Sequence, residues 1–137
     1  DLPPGTGDEA LTVAQAMRGA DGVIIVSTPQ EASLADCRKA INFAHALDLP
    51  VVGVVENMSG FVCPHCGEAT PIFSTGGARR MAEEMGVRYL GAIPLAPEVV
   101  TRSERGKPVV GEDAPEAARN AFAALAEAVI QAVTTPS

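Results

Sequence analysis

Residues 22–55 read GVIIVSTPQEASLADCRKAINFAHALDLPVVGVV. Val23-Ile24-Ile25-Val26 is β-branched and apolar without alternation, which predicts a strand buried on both faces, the pattern of a parallel sheet. Thr28-Pro29-Gln30 reads as a turn, and from Ala32 to Leu47 the apolar positions Leu34, Cys37, Ile41, Ala44 and Leu47 mark one helix face. Leu49-Pro50 ends that helix, and Val51 to Val55 reads as a second buried strand. Upstream, Ala10 to Ala20 carries Leu11, Ala14 and Met17 at helical spacing, with Asp8 and Glu9 favouring an N-terminus and Gly19 or Gly22 as the stop. Downstream, Thr75-Gly76-Gly77 leads into a helix from Ala78 to Met85, and Tyr89 to Ile93 supplies a third strand ended by Pro94. A short helix from Pro97 to Arg105 follows, and Pro115 opens a last helix striped by Ala118, Phe122, Leu125 and Val129. Strand and helix alternating in this way predict an α/β fold with a doubly wound, mostly parallel sheet.

The 137 residues are 47% hydrophobic and 20% charged, enough for one core in a single domain or in part of a larger one. Ten basic residues against 17 acidic ones give a net charge of −7, and the basic residues form only the pairs Arg38-Lys39 and Arg79-Arg80 and a loose group of Arg102, Arg105 and Lys107. That distribution argues against nucleic acid and against an anionic membrane as partners. The longest apolar runs, Gly22 to Val26 and Pro50 to Val55, fall far short of the roughly 20 residues a bilayer requires, and no signal peptide precedes them. Three cysteines, two of them in a C-x-x-C, fit a reducing compartment, and the expected location is cytoplasmic. The chain opens at Asp1 without an initiator Met, which reads as a fragment boundary.

Residues Met58 to Gly77 break the strand-helix rhythm and read as a loop around Cys63-Pro64-His65-Cys66-Gly67. Two thiolates separated by two residues suit one face of an ion or cluster, and Gly67 can take the positive φ that turns the loop back. Four thiolates require two more cysteines, and the remaining one, Cys37, lies on the apolar face of a predicted helix as a small buried hydrophobe. A two-fold dimer with its axis through the metal completes the set, for tetrahedral zinc or for a [4Fe-4S] cluster. A structural zinc knuckle therefore stays open, and a thioredoxin-like dithiol fits less well, because Gly67 and Pro71 argue for a loop where that chemistry uses a helix N-terminus. His65 reads as an exposed loop residue, and His45 as a surface partner of Asp48 without a function.

The opening Asp1-Leu2-Pro3-Pro4-Gly5-Thr6-Gly7-Asp8 has the residue types of a strand end beside a phosphate: a carboxylate organises the water shell of Mg²⁺, and a glycine lets a backbone N–H approach the terminal phosphate. Such turns are also common as solvated connections. No G-x-x-x-x-G-K-[ST] occurs; Lys39 and Lys107 are the only lysines and neither completes one. The chain alone is expected not to hydrolyse ATP.

Asp1 to Asp8, Ser27-Thr28-Pro29-Gln30, Val55-Glu56-Asn57-Met58-Ser59 leading into the cysteine pair, Ile72-Phe73-Ser74-Thr75-Gly76-Gly77 and Leu90-Gly91-Ala92-Ile93-Pro94-Leu95 together resemble the Mrp/ApbC family of P-loop ATPases, relatives of MinD and ParA. The resemblance runs from about Asp1 to Val110 and leaves out only the generic last helix. It implies a cytosolic protein that assembles or carries [4Fe-4S] clusters on a homodimer or related heterodimer and delivers them to apo-proteins, with ATP and Mg²⁺ used by the full-length parent. Carried over by position, Cys63 and Cys66 are the bridging cluster ligands, Asp1 acts on Mg²⁺ and Gly5 lies near the terminal phosphate. Asn57 matches the position that reads the adenine edge, and Ile93-Pro94-Leu95 would wall the base. The P-loop strand, its Lys and the first switch region of the family are absent, so the implied fold is an incomplete P-loop NTPase. A MinD/ParA-like positioning ATPase is the third reading, but the Ala-rich last helix, with Glu116, Arg119, Glu127 and Gln131 on it, offers neither a membrane-targeting nor a DNA-binding surface.

Overall fold

The computed structural model describes residues 7–16, 19–63, 65–111 and 113–135. In chain order these form α1 (Asp8–Ala16), β1 (Val23–Ser27), α2 (Glu31–Ala46), β2 (Val51–Val62), β3 (Ala69–Thr70), α3 (Gly77–Glu84), β4 (Tyr89–Leu95), α4 (Pro97–Glu104) and α5 (Glu116–Thr134). β2 is the centre of the sheet, parallel to β1 on one side and to β4 on the other. Val54 and Val55, adjacent on β2, point to opposite faces and are both buried, which explains the unbroken apolar run. Val54 packs with Leu34, Cys37 and Ile41 of α2 and with Ala78, Met81 and Ala82 of α3. Val55 packs with Leu90 and Ile93 of β4 and with Ala132 of α5, flanked by Phe122, Leu125 and Val129. Helices on both faces of a parallel sheet are the doubly wound α/β arrangement that the sequence predicts.

Three expectations need correction. β1 is not buried on both faces: Ile25 packs into the α2–α3 core, whereas Ile24 and Val26 are 42% and 59% exposed. The physical reason is that α5 lies over β4 and β2. Second, Pro94 does not end β4, which continues to Leu95 and pairs with Phe61 of β2 there. Among the described residues β4 pairs with β2 alone and so lies at the border of the sheet, where a missing N–H costs no ladder bond. Third, the stretch from Met58 to Gly77 is not a loop throughout: β2 runs on to Val62 and turns back through β3 as an antiparallel hairpin, pairing Phe61 with Thr70 and Val62 with Ala69, while residues 65–68 and 71–76 lie outside strand and helix as expected.

Candidate metal centre and the carboxyl edge of the sheet

The cysteine pair sits at the tip of this hairpin. Cys63 follows the last residue of β2 and is half-buried, while Cys66 is exposed in the returning turn. The turn is closed by two backbone bonds, Gly67 N–H donating to Cys63 O at 2.8 Å and Cys63 N–H donating to Glu68 O at 3.0 Å. Gly67 has φ of +73°, the left-handed conformation expected of it, with open space around the position a Cβ would take. Backbone hydrogen bonds from Cys66 and then His65, together with the Cys66 thiol, hold the Cys63 thiol below its ordinary value. An amide-lined sulfur of this kind favours thiolate, the form that ligates soft metals. His65 is exposed in the turn. Among the described residues no third His, Cys, Asp or Glu joins the pair as a metal-holding group.

Cys37 belongs to the core, as expected: it is 8% exposed, its thiol donates to Val26 O at 3.6 Å, and burial is the main cause pushing its pKa up. His45 and Asp48 are both exposed, and the bond that joins them is a backbone one, Asp48 N–H to His45 O at 3.1 Å. Arg102 of the loose basic group faces inward, donating to Pro108 O and to both carboxylate oxygens of Asp113 across the segment between α4 and α5.

At the carboxyl ends of the parallel strands Asn57 pairs with Ile93, so that Asn57 and Pro94 occupy neighbouring strands at one level of the sheet. Ligands in α/β sheets bind outside this end. Asn57 Oδ1 accepts from Met58 N–H at 2.9 Å, supporting Met58 at φ of +56°, uncommon for a residue with a side chain. Asp1 and Gly5 lie outside the described residues. One site-bordering residue lies inside a quoted motif without a role assigned to it: Glu56, a carboxylate buried at the point where β2 leaves the core. Its signal was a charge directly following the apolar run Val51 to Val55.

The family model described as ParA, NUBPL iron-transfer P-loop NTPase matches residues 1–130. The chain belongs to this family. Within it, the iron-sulfur cluster carrier protein of Methanocaldococcus jannaschii is 49% identical over 110 residues, covering 80% of this chain and 38% of the relative. The cytosolic Fe-S cluster assembly factor CFD1 of Eremothecium gossypii is 50% identical over 116 residues, again 80% of this chain and 41% of the relative. The chain thus spans about two fifths of the length of these curated relatives. Among solved structures, the nucleotide-binding protein of Archaeoglobus fulgidus in complex with ADP, with Co found by PIXE, is 41% identical and superposes with a TM-score of 0.70 over 85% of this chain and 46% of that one. The cell division ATPase MinD of Pyrococcus furiosus, 23% identical, reaches the same TM-score of 0.70 over 96% of this chain and 50% of that one, and shares the fold. The MinD/ParA-like α/β architecture of this family is therefore the architecture of this chain. No described helix is long and apolar enough to cross a membrane.

Proposed function

We propose that this chain is the cysteine-bearing portion of an iron-sulfur cluster carrier, in which Cys63 and Cys66 hold half of a [4Fe-4S] cargo and the same pair of a second subunit holds the other half. The observation that carries the reading is the hairpin itself, which projects two thiols, one held toward thiolate, beyond the helix-covered core. Two thiolates per chain match half of a four-thiolate set, and a two-fold dimer supplies the rest with no further ligand type. Relatives named as an iron-sulfur cluster carrier and as cytosolic Fe-S cluster assembly factors support the same cargo, a cytoplasmic location and delivery to apo iron-sulfur proteins. A shared, solvent-near cluster is held by few protein bonds per subunit, so a change in the angle between subunits strains all of them together and favours transfer.

The nucleotide belongs to the longer protein. Asn57 carries both a donor and an acceptor and suits the adenine edge, with Pro94 beside it as an apolar wall. Asp1 acts on Mg²⁺ and Gly5 on the terminal phosphate, while the phosphate-binding Lys comes from outside this chain, so ATP hydrolysis is a property of the whole protein. Nucleic acid and membranes are not partners in this reading.

The test is anaerobic reconstitution of the full-length protein and its Cys37→Ser, Cys63→Ser and Cys66→Ser variants, with iron per dimer, visible absorption and molecular mass measured together. A brown dimer that is lost with either hairpin cysteine and kept in Cys37→Ser is the expected result. A full cluster in the Cys63 and Cys66 variants, a cluster on a monomer, or a colourless protein that binds only zinc overturns it.

A further inference from the structure

Glu56 is 1% exposed, and neither of its carboxylate oxygens takes part in the function proposed above. Oε2 accepts from Ala78 N–H at 2.9 Å and Oε1 accepts from Ser59 Oγ at 2.7 Å. Ala78 is the second residue of α3, so the carboxylate satisfies one of the orphan amides of that helix and meets the positive end of its dipole. This helix start is a fixed point. A Cβ on Gly77 would stand 2.8 Å from Pro29 O and 2.9 Å from Leu34 Cδ1, so only glycine lets α3 approach the turn after β1 this closely. Ser74 Oγ donates to that same Pro29 carbonyl at 2.6 Å.

The other oxygen reaches the part of β2 that the sheet does not hold. Pairing of β2 with β4 jumps from Asn57↔Ile93 to Phe61↔Leu95, leaving residues 58–60 out of register. Met58 and Gly60 both have positive φ there, +56° and +81°. Those residues set the direction in which the hairpin leaves the core, and the Ser59 hydroxyl ties them back to it. We infer that Glu56 is a positioning residue for the cysteine pair: braced on the start of α3, it holds through Ser59 the turn that aims the Cys63–Cys66 hairpin. The consequence for cargo rests on the carrier reading, because two hairpins must converge on one cluster and a free hinge at 58–60 would let them part. The brace itself does not rest on it.

The experiment uses the full-length protein and the variants Ser59→Ala, Glu56→Ala and Glu56→Gln. In metal-free protein, Ser59→Ala is expected to raise hydrogen exchange at the Cys63 and Gly67 amides about fivefold, the scale of one lost hydrogen bond, with α3 amides unchanged. Glu56→Gln, which keeps an acceptor for Ala78 and a partner for Ser59, is expected to restore wild-type exchange, while Glu56→Ala loosens hairpin and helix start together. After anaerobic loading, iron release to a ferrous chelator is expected to quicken in Ser59→Ala and return to the wild-type rate in Glu56→Gln. Unchanged hairpin exchange in Ser59→Ala overturns the brace, whether or not Glu56→Ala folds. Raised exchange with unchanged iron release overturns the positioning of cargo. If wild-type protein takes up no iron, the carrier reading fails and the exchange measurements alone decide the role of Glu56.

Discussion

Val51 to Glu56 and Met58 to Val62 are two halves of one strand, β2, in two environments. The first half is flanked by parallel neighbours and covered by α2 and α3 on one face and α5 on the other. The second half breaks register, passes two left-handed residues and ends in a hairpin whose return strand is two exposed residues long. Burying a valine such as Val54 or Val55 contributes on the order of 1.5–3 kcal/mol, whereas an isolated two-stranded hairpin is marginal in water. Stability is therefore concentrated in the first half, and the cysteines are placed where a change of geometry disturbs little of the core. Glu56, the last fully buried residue before the break, is the physical join between the halves.

The contrast breaks most directly at Ile41, which is fully buried between α2 and the sheet. Ile41→Ala in the full-length protein is expected to cost about 2–5 kcal/mol in denaturant unfolding, and a cost near zero would show that this face is not the stabilising core. Cysteine reactivity sharpens the comparison. Amide hydrogen bonds lower the Cys63 pKa and burial raises that of Cys37, so with rising pH the Cys63 thiolate forms first and Cys37 ionises only above the ordinary thiol value. Iodoacetamide labelling of metal-free native protein, read by mass spectrometry at neutral pH, is expected to modify Cys63 well before Cys37; the reverse order would place the buried thiol in the wrong environment. The smallest effect is expected at Cys66, exposed in the turn, where Cys66→Ser should change the unfolding free energy by less than about 0.5 kcal/mol. A larger loss in metal-free protein would mean that the hairpin supports the core after all.

Much of this was legible in the residues. The unbroken valines and isoleucines of β1 and β2, the helix face of Leu34, Cys37, Ile41 and Ala44, and the stripe on α5 fix element types because burial on one or two faces imposes its own period. The cysteine pair was legible because C-x-x-C spacing is a local property of the chain. Hairpin formation was not, since Phe61-Val62 and Ala69-Thr70 are too short to show a period and the Pro and Gly between them signal a loop equally well. Nor was the exposure of Ile24 and Val26, which depends on where a helix more than ninety residues later comes to rest.

What the sequence by itself determined is therefore the local grammar: which segments are strands or helices, which are apolar, where thiols stand close enough to share a metal, and the family whose motifs occur in that order. Tertiary structure alone decided that Glu56 is buried and joined to Ser59 and Ala78, that Asn57 and Pro94 lie on neighbouring strands, and that the thiols leave the core on a bent extension of its central strand. The reason is range. Propensity and spacing act over a few residues, whereas a carboxylate at position 56 finds the amide of residue 78 only after a helix has been laid against the sheet, and no local pattern encodes that encounter.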